Sequence, residues 1–293
     1  MYDNKLEITV SSYARGQKLT SQDLEDSDFT LIIDRANSFQ FRMDDIEEAH
    51  SHVNWMDLAK DRAAYRLRDT YDRDILGYMS GYEYSVSAGT WSARTTAVGT
   101  VAESTADSDE LLSAHKLTRA NFVSGGSSSD SIALGTSGTY DATPLQILNR
   151  MNRVLDLKNV DKDGRWVVVD PVFMEKLMDE DSKFMNHDYQ GSEALSNGRV
   201  VSGKVRGFRV YNSNNLPYIG TGPGTIDNNG SSSHYGLIVA GHDSAVATAE
   251  QINKTEAFRD PDSFGDIVRG LQLYGRKILR SEALVRAIYN INS

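Results

Sequence analysis

The sequence predicts an α+β fold, because the hydrophobic period changes twice along its 293 residues. Near the N-terminus apolar and polar side chains alternate, which is typical of half-buried strands. A long stretch with a helical period follows it. From about residue 143 onward, short helical and strand patterns follow one another, as in a compact α/β domain.

Residues 1–43 predict an extended β-ribbon. Apolar residues occupy every second position in three runs: Leu6, Ile8 and Val10, then Phe29, Leu31 and Ile33, then Phe39, Phe41 and Met43. A polar turn over residues 34–38 separates the last two runs, and residues 14–28 are expected to form a long exposed loop. A ribbon of two or three strands is marginal alone, so it is expected to lie against another element.

Residues 44–82 predict one long helix. Most steps between apolar residues are three or four, which gives a single stripe: Ile46, Ala49, Val53, Met56, Ala63, Leu67, Tyr71, Ile75 and Tyr78. Carboxylates crowd the expected first turn, and Gly77 and Gly81 mark the expected end. Just under forty residues would span roughly 55–60 Å. The alternative is two helices with a bend near residues 50–54.

Residues 83–250 predict a central α/β domain. Thr143 followed by Pro144 and Gln146 forms a capping box for a helix, and a short helix is expected near residues 108–115. The apolar run at residues 166–169 predicts a fully buried strand, and Asp170 is expected to cap a helix reaching Met178. Further strands are expected at residues 200–211 and 235–240. Residues 248–257 are expected to join this domain to the last segment.

The composition excludes several classes of function. Lys plus Arg number 31 and Asp plus Glu number 41, so the net charge is 31 − 41 = −10, and the chain has no overall electrostatic reason to bind nucleic acid. The absence of cysteine excludes disulfides, thiolate zinc sites and a cysteine nucleophile. No signal core and no apolar run of roughly 18 residues is present. A soluble protein made in the cytoplasm is expected.

No motif predicts catalysis, a cofactor or a metal. Asn159, Asp161, Asp163, Gly164 and Asp170 approximate a calcium-binding loop, but the bidentate glutamate is missing and a strand pattern follows. A helix-to-strand turn is therefore favoured. The histidines are scattered, and no nucleophile elbow lies near them. A hydrolase or metal-binding enzyme with an unrecognised site remains an alternative.

Five stretches, in this order and spacing, resemble the major capsid proteins of tailed bacteriophages, a fold typified by phage Hong Kong 97. The stretches are LIID at residues 31–34 with FQFRMDDI at 39–46, RWVVVDP at 165–171, GFRVY at 207–211 with SNNLP at 213–217, FGDIVRGL at 264–271, and YG at 274–275 with RSEAL at 280–284. They extend over nearly the whole chain. No single one of them is specific by itself.

The resemblance implies a Hong Kong 97-like phage capsid fold, with an extended β-ribbon loop at residues 1–43 and a spine helix of the peripheral domain at residues 44–82. It further implies an axial domain at residues 83–250 and a C-terminal return to the peripheral domain at residues 251–293. Family members carry an N-terminal arm before the extended loop. Here that arm is expected to be short or absent, cleaved, or outside this chain, unless other parts of the subunit make its usual contacts.

The function that the resemblance implies is structural, with no enzyme activity and no cofactor. Such subunits assemble into hexamers and pentamers of an icosahedral head that encloses double-stranded DNA without sequence-specific binding. A scaffolding protein, a portal and cement proteins are the expected partners. The expected location is the virion, after assembly in the cytoplasm of the bacterial host. The alternatives are an encapsulin-type compartment shell and a phage tail or adhesion component.

The candidate contacts between subunits lie in the exposed loop of residues 14–28. Its charged side chains are expected to supply polar contacts to a neighbour: Arg15, Lys18, Asp23, Glu25 and Asp26. Loops near residues 124–130 and 214–233 are expected to meet at the capsomer axis. Some relatives form Lys–Asn links between subunits, and Lys18 is a conceivable donor for such a link.

Overall fold

The computed structural model describes residues 30–45, 55–86, 88–93, 111–126, 131–135, 140–178, 205–219, 235–261 and 263–291, with residues 12 and 15 singly. Three helices lie within these residues: α1 (Trp55–Ser80), α2 (Pro144–Leu157) and α3 (Pro171–Leu177). Twelve strands lie there too: β1 (Arg35–Asp44), β2 (Tyr82–Ser85), β3 (Thr90–Ala93), β4 (Lys116–Leu117), β5 (Ile132–Leu134), β6 (Arg165–Val169), β7 (Arg209–Asn212), β8 (Tyr218–Ile219), β9 (Tyr235–His242), β10 (Val246–Arg259), β11 (Gly265–Ile278) and β12 (Leu284–Ile291).

The larger of the two main sheets has seven strands, which come from the region between β4 and β9 and from the last strand, β12. Its main path runs β4–β12–β9–β6–β7, with β5 added beside β12 and β8 beside β9. The sheet is mixed, because β6 pairs with β7 in parallel and with β9 antiparallel. Helix α2 contacts β12 and α3 contacts α2, so both helices cover this sheet. The resulting core is almost wholly apolar.

The capping chemistry predicted for this region is confirmed. The Thr143 hydroxyl accepts from the Gln146 backbone N–H while the Gln146 side chain accepts from the Thr143 N–H. The Asp170 carboxylate likewise accepts from the Phe173 N–H at the start of α3. Strand β6 is confirmed in position, but its burial alternates instead of being complete, because it is half-exposed at Trp166 and Val168.

The second sheet has three long strands in the order β1–β11–β10, all antiparallel. Strand β1 pairs over its full length with β11, more than two hundred residues later in the chain. The predicted turn over residues 34–38 is therefore wrong, since residues 35–38 lie inside β1. Their polar side chains suggested a turn, whereas they occupy a strand whose alternate positions face solvent. The alternation predicted at Phe39, Phe41 and Met43 is confirmed.

Helix α1 differs from its prediction at the N-terminal side. Strand β1 ends at Asp44 and Asp45 is already helical, so the predicted start at Asp44 is off by one residue. Residues 46–54 lie outside the described residues, so the single long helix and the alternative bend near residues 50–54 both stay predictions. The predicted end is confirmed at Gly81, whose φ of +79° suits a glycine after a helix. Gly77 instead lies within α1. A Cβ there would come within 2.6 Å of the Trp91 ring, so this glycine permits close packing.

The predicted division at residue 250 does not coincide with a boundary between sheets. Strand β10 runs through it, so the segment expected to act as a joining piece is the outer strand of the three-stranded sheet. The last segment also divides, because β11 lies in the three-stranded sheet and β12 in the seven-stranded one. In place of the helix expected near residues 108–115, the described part is a single 3₁₀ turn at Ser113–His115.

Candidate assembly surface

The outer strand of the three-stranded sheet is the most exposed long element among the described residues. Strand β10 has 14 residues, pairs with β11 on one side, and has no strand on its other side within the described chain. From residue 251 to residue 259 every side chain except that of Glu256 is exposed. A long edge strand with free N–H and C=O groups is a place where another chain can pair.

One face of this sheet combines exposed apolar side chains with opposite charges. Ile252, Phe258 and Leu271 are 37%, 38% and 41% exposed. The Arg269 guanidinium lies over the Phe258 ring, 4.9 Å from its centroid, and donates to the Glu256 carboxylate at 2.8 Å. Aromatic residues and arginine are enriched in contact surfaces between proteins, and this face presents one of each in Phe258 and Arg269.

Glu256 is the electrostatic centre of that face. The ammonium of Lys254, through a hydrogen bond and its charge, and then the Arg269 guanidinium lower the pKa of Glu256 from 4.5 to about 2. The carboxylate is thus charged at every physiological pH. Because Glu256 and both of its cationic partners lie at the surface, salt screens these attractions and they add little to the stability of the subunit.

The opposite face of the sheet is fixed to α1 by a buried polar network. Arg276 pairs with the Asp74 carboxylate and lies over the Tyr78 ring, 4.6 Å from its centroid. The Tyr274 hydroxyl donates to Asp74 at 2.9 Å, and the Tyr274 ring meets that of Tyr71 edge-on. Burial lowers the pKa of Arg276 to about 10, so the guanidinium remains charged. Burial raises the pKa of the Tyr274 hydroxyl, which therefore stays protonated.

Three more arginines hold the C-terminal part of α1 and its neighbours. Arg73 donates to the Tyr84 hydroxyl at 3.0 Å and to Asn215 at 3.2 Å. Arg35 pairs with Glu83 at 2.9 Å, and Arg286 donates to the Ser80 carbonyl, where a cation complements the negative end of the helix dipole. This end of the helix is consequently the buried one, from Leu76 to Ser80.

The N-terminal part of α1 is exposed by comparison. Leu58 and Tyr65 lie seven residues apart on one side of the helix and are 42% and 68% exposed. Of the predicted stripe, Ala63 and Leu67 are half-buried here. The helix thus has one end fixed in the subunit and another that leaves apolar surface uncovered.

Most of the predicted contact residues fall outside the described chain. Arg15 lies in an exposed turn, whereas Lys18, Asp23, Glu25 and Asp26 are outside the described residues. The loop pieces at residues 127–130 and 220–234 are outside them as well. Strand β10 was not predicted from the sequence, because a register shift between Glu250 and Ile252 breaks its alternation and the side chains of residues 251–255 are all exposed.

The approximate calcium loop is a helix-to-strand turn, as favoured. The Asp161 carboxylate accepts from the Asp163 N–H, and the buried Arg165 guanidinium donates to the Asp161 carbonyl at 2.7 Å. Gly164 has a φ of +86°. Across the described residues, no group of three or more His, Cys, Asp or Glu side chains could hold a metal ion. No described helix is long and apolar enough to cross a membrane.

Comparison with solved structures identifies the fold. The sequence matches no protein-family model and none of the curated proteins with which it was compared. A structure of Mycobacterium phage Che8 is 23% identical, with a TM-score of 0.61 over 97% of this chain and 81% of that one. The capsid of cyanophage P-SCSP1u is 18% identical, with a TM-score of 0.62 over the same shares. The mature capsid of bacteriophage PhiM1 is 20% identical, with a TM-score of 0.56 over 97% and 79%.

These likenesses confirm the predicted fold class. The chain has a mixed helix-and-sheet fold, and it is the fold of the subunits in these phage capsid structures. The finer division into extended loop, spine helix, peripheral domain and axial domain stays a prediction.

Proposed function

We propose that this protein is the major capsid protein of a bacteriophage, a structural subunit that assembles into hexamers and pentamers of an icosahedral head around double-stranded DNA. The observation that carries the proposal is the fold, which matches phage capsid structures over 97% of the chain. A likeness of nearly full length leaves little of the chain for an added catalytic domain.

The surface of the subunit supports assembly. The three-stranded sheet presents the open edge of β10, and α1 presents Leu58 and Tyr65 to solvent. Subunits that repeat such contacts around symmetry axes close into rings and shells. The net charge of −10 suits a shell that encloses DNA without gripping it.

The proposal includes partners and a location. The shell would form in the cytoplasm of the bacterial host with the help of a scaffolding protein, join a portal, and in its mature form belong to the virion, with cement proteins as possible outer partners. No enzyme activity and no cofactor are assigned to the subunit. Its division into spine helix, peripheral and axial domains belongs to the same proposal.

The first experiment is electron microscopy of the protein expressed alone and with its own neighbouring genes. Closed icosahedral particles, or hexamers and pentamers, are the expected result. Monomers in both preparations, or fibres as a tail or adhesion component would give, would contradict it. The particle contents separate a phage head from an encapsulin-type compartment, because portal and DNA indicate the former and a packaged enzyme the latter.

A second experiment tests the loop of residues 14–28 as a contact between subunits. Neutralising Arg15, Lys18, Asp23, Glu25 and Asp26 to Gln or Asn should leave the circular-dichroism spectrum unchanged and reduce particle yield. The control neutralises one exposed charge of each sign on the helices of the seven-stranded sheet, Arg153→Gln and Glu175→Gln. Equal yields from both variants would remove these five residues from the proposal.

A further inference from the structure

The open edge of β10 has a sequence that complements itself. On the face that carries the exposed apolar side chains, the order along the strand is Ile252, Lys254, Glu256, Phe258. The pattern along the strand is thus apolar, positive, negative, apolar. In an antiparallel copy the pattern runs apolar, negative, positive, apolar, so each apolar residue meets an apolar residue and each charge meets an opposite charge. An interface between two identical chains around a two-fold axis requires this kind of self-complementarity.

We propose that β10 pairs antiparallel with β10 of a second copy of this chain, with the two-fold axis at Thr255. Ile252 then lies opposite the partner's Phe258, and Lys254 opposite the partner's Glu256. Both contacts occur twice, and directly opposite side chains in antiparallel strands are close enough to interact. The pairing joins two three-stranded sheets into one sheet of six strands. The backbone N–H and C=O groups on the open edge of each β10 then form hydrogen bonds with those of the other copy.

Neighbouring registers are unfavourable. An axis at Lys254 would place two lysines opposite each other and Ile252 opposite a glutamate. An axis at Glu256 would oppose two carboxylates and place Lys254 opposite an apolar ring. An axis between two residues would place the residues of the apolar face of one copy opposite residues that belong to the other face of its partner. Among these, only the Thr255 register matches both the charges and the apolar side chains.

Charged residues and bulges on edge strands often serve to prevent pairing, and β10 has both. The register shift, however, lies between Glu250 and Ile252, just outside the complementary stretch of residues 252–258. The charges within that stretch alternate in sign, and Lys254 already pairs with Glu256 in one chain. They therefore reject a partner in a wrong register and accept one in the Thr255 register.

The inference rests on the proposed function, because it names one contact of the proposed assembly. Cysteine cross-linking tests it cleanly, since the chain has no cysteine of its own. In the proposed register a cysteine at position 255 faces its own copy. The two Cα atoms would be about 4.5–5.5 Å apart, within the range that a disulfide spans.

The experiment oxidises particles of the Thr255→Cys variant and separates the chains on a denaturing, non-reducing gel. The controls are Asn253→Cys and Ala257→Cys, whose copies would be about 13 Å apart, too far for a disulfide. We expect about tenfold more covalent dimer from Thr255→Cys than from either control. The double variant Asn253→Cys with Ala257→Cys should cross-link again, because those positions face each other.

The outcomes separate this inference from the proposed function. Particles that form under reducing conditions but give no dimer at position 255 overturn the strand pairing and leave the capsid proposal intact. Dimer from a single control as abundant as that from Thr255→Cys overturns the register. Efficient cross-linking at position 255 in a protein that never forms closed particles supports the pairing and overturns the capsid proposal.

Discussion

The two sheets of this protein obtain their stability in different ways. In the seven-stranded sheet the inward side chains of the central strands, such as Val167, Ile238 and Val285, are wholly buried under α2 and α3. The three-stranded sheet has longer strands but far fewer buried apolar side chains. It is held to α1 by Asp74, Arg276 and Tyr274, and one of its long edges, β10, is open within the described chain.

This difference indicates which part of the molecule forms a complete hydrophobic core within a single chain. Burial of apolar surface gives the seven-stranded region a core of its own, as a folded domain requires. The three-stranded sheet relies on polar contacts that are specific in geometry but contribute less net stability. We infer that its exposed apolar side chains are covered in an assembly, and variants can measure the contrast.

The largest effect is expected in the core of the seven-stranded region. Phe173 is wholly buried and meets the Tyr289 ring edge-on at 5.5 Å. Phe173→Ala should lower the free energy of unfolding by about 3–5 kcal/mol, because it leaves a cavity. Phe258→Ala on the three-stranded sheet removes the same ring from a partly exposed site and should cost below about 1 kcal/mol.

Denaturant unfolding of the unassembled subunit, followed by circular dichroism, measures both. Equal losses from the two variants would mean that the three-stranded sheet has a core as dense as that of the larger sheet, contrary to the comparison.

A smaller but substantial loss is expected at the polar network under α1. Arg276→Gln should cost about 3 kcal/mol, because the largely buried Asp74 carboxylate then loses its cationic partner and keeps only the Tyr274 hydrogen bond. Arg269→Gln on the same strand provides the control, since the Arg269–Glu256 pair lies at the surface and its loss should leave the unfolding midpoint almost unchanged. If the midpoints of the two variants coincide, the network does not hold the helix to the sheet.

Much of the fold was predictable because local chemistry determines it. Each helix cap, at Thr143 and at Asp170, depends on a hydrogen bond between residues three positions apart. Strand β9 is marked by its own run of apolar residues. Strand β1 was found only in part, because its partner β11 is more than two hundred residues away. Its polar first half has no local feature that distinguishes it from a turn.

The candidate surface was less predictable for a related reason. Every side chain of β10 from residue 251 to residue 255 is exposed, so the period-two burial that marks a strand is missing from its sequence. Its strand conformation comes from pairing with β11 through long-range hydrogen bonds. The contact loop of residues 14–28 was inferred from resemblance and stays a prediction.

A moderate, pH-dependent effect is expected at Tyr289. Its buried hydroxyl donates to the Asp170 carboxylate, and Gly236 leaves the space for it. Burial raises the pKa of Asp170, whereas the Tyr289 hydrogen bond works against that rise. Tyr289→Phe should therefore cost about 1–3 kcal/mol near neutral pH, because the buried Asp170 side chain loses a hydrogen-bond donor.

The sign of the pH dependence follows from the raised pKa. Asp170 is protonated more readily in the folded state, so its contribution to stability is present below its ordinary pKa and is lost as the pH rises through the raised value. Removing the Tyr289 donor raises that pKa further. The loss caused by Tyr289→Phe should thus be smaller near pH 4 than at pH 7. Equal losses at both pH values in urea unfolding would contradict this reasoning, and Asp170→Asn supplies the control that cannot titrate.

The smallest effect is expected at the exposed face of β10, where a charge can change with little change in stability. Lys254→Gln removes the main cause of the low pKa of Glu256, so that pKa should rise from about 2 toward its ordinary 4.5 in a carboxyl NMR titration of the unassembled subunit. Arg269→Gln should raise it less.

Because the pKa is depressed in the folded state, any contribution of Glu256 is present above its ordinary pKa and is lost as the pH falls through about 2. The unfolding midpoint at pH 7 should be nearly the same in all three proteins, since an exposed pair contributes little. A marked drop there would mean that these charges stabilise the isolated subunit, and the argument that they serve a contact between copies would lose its basis.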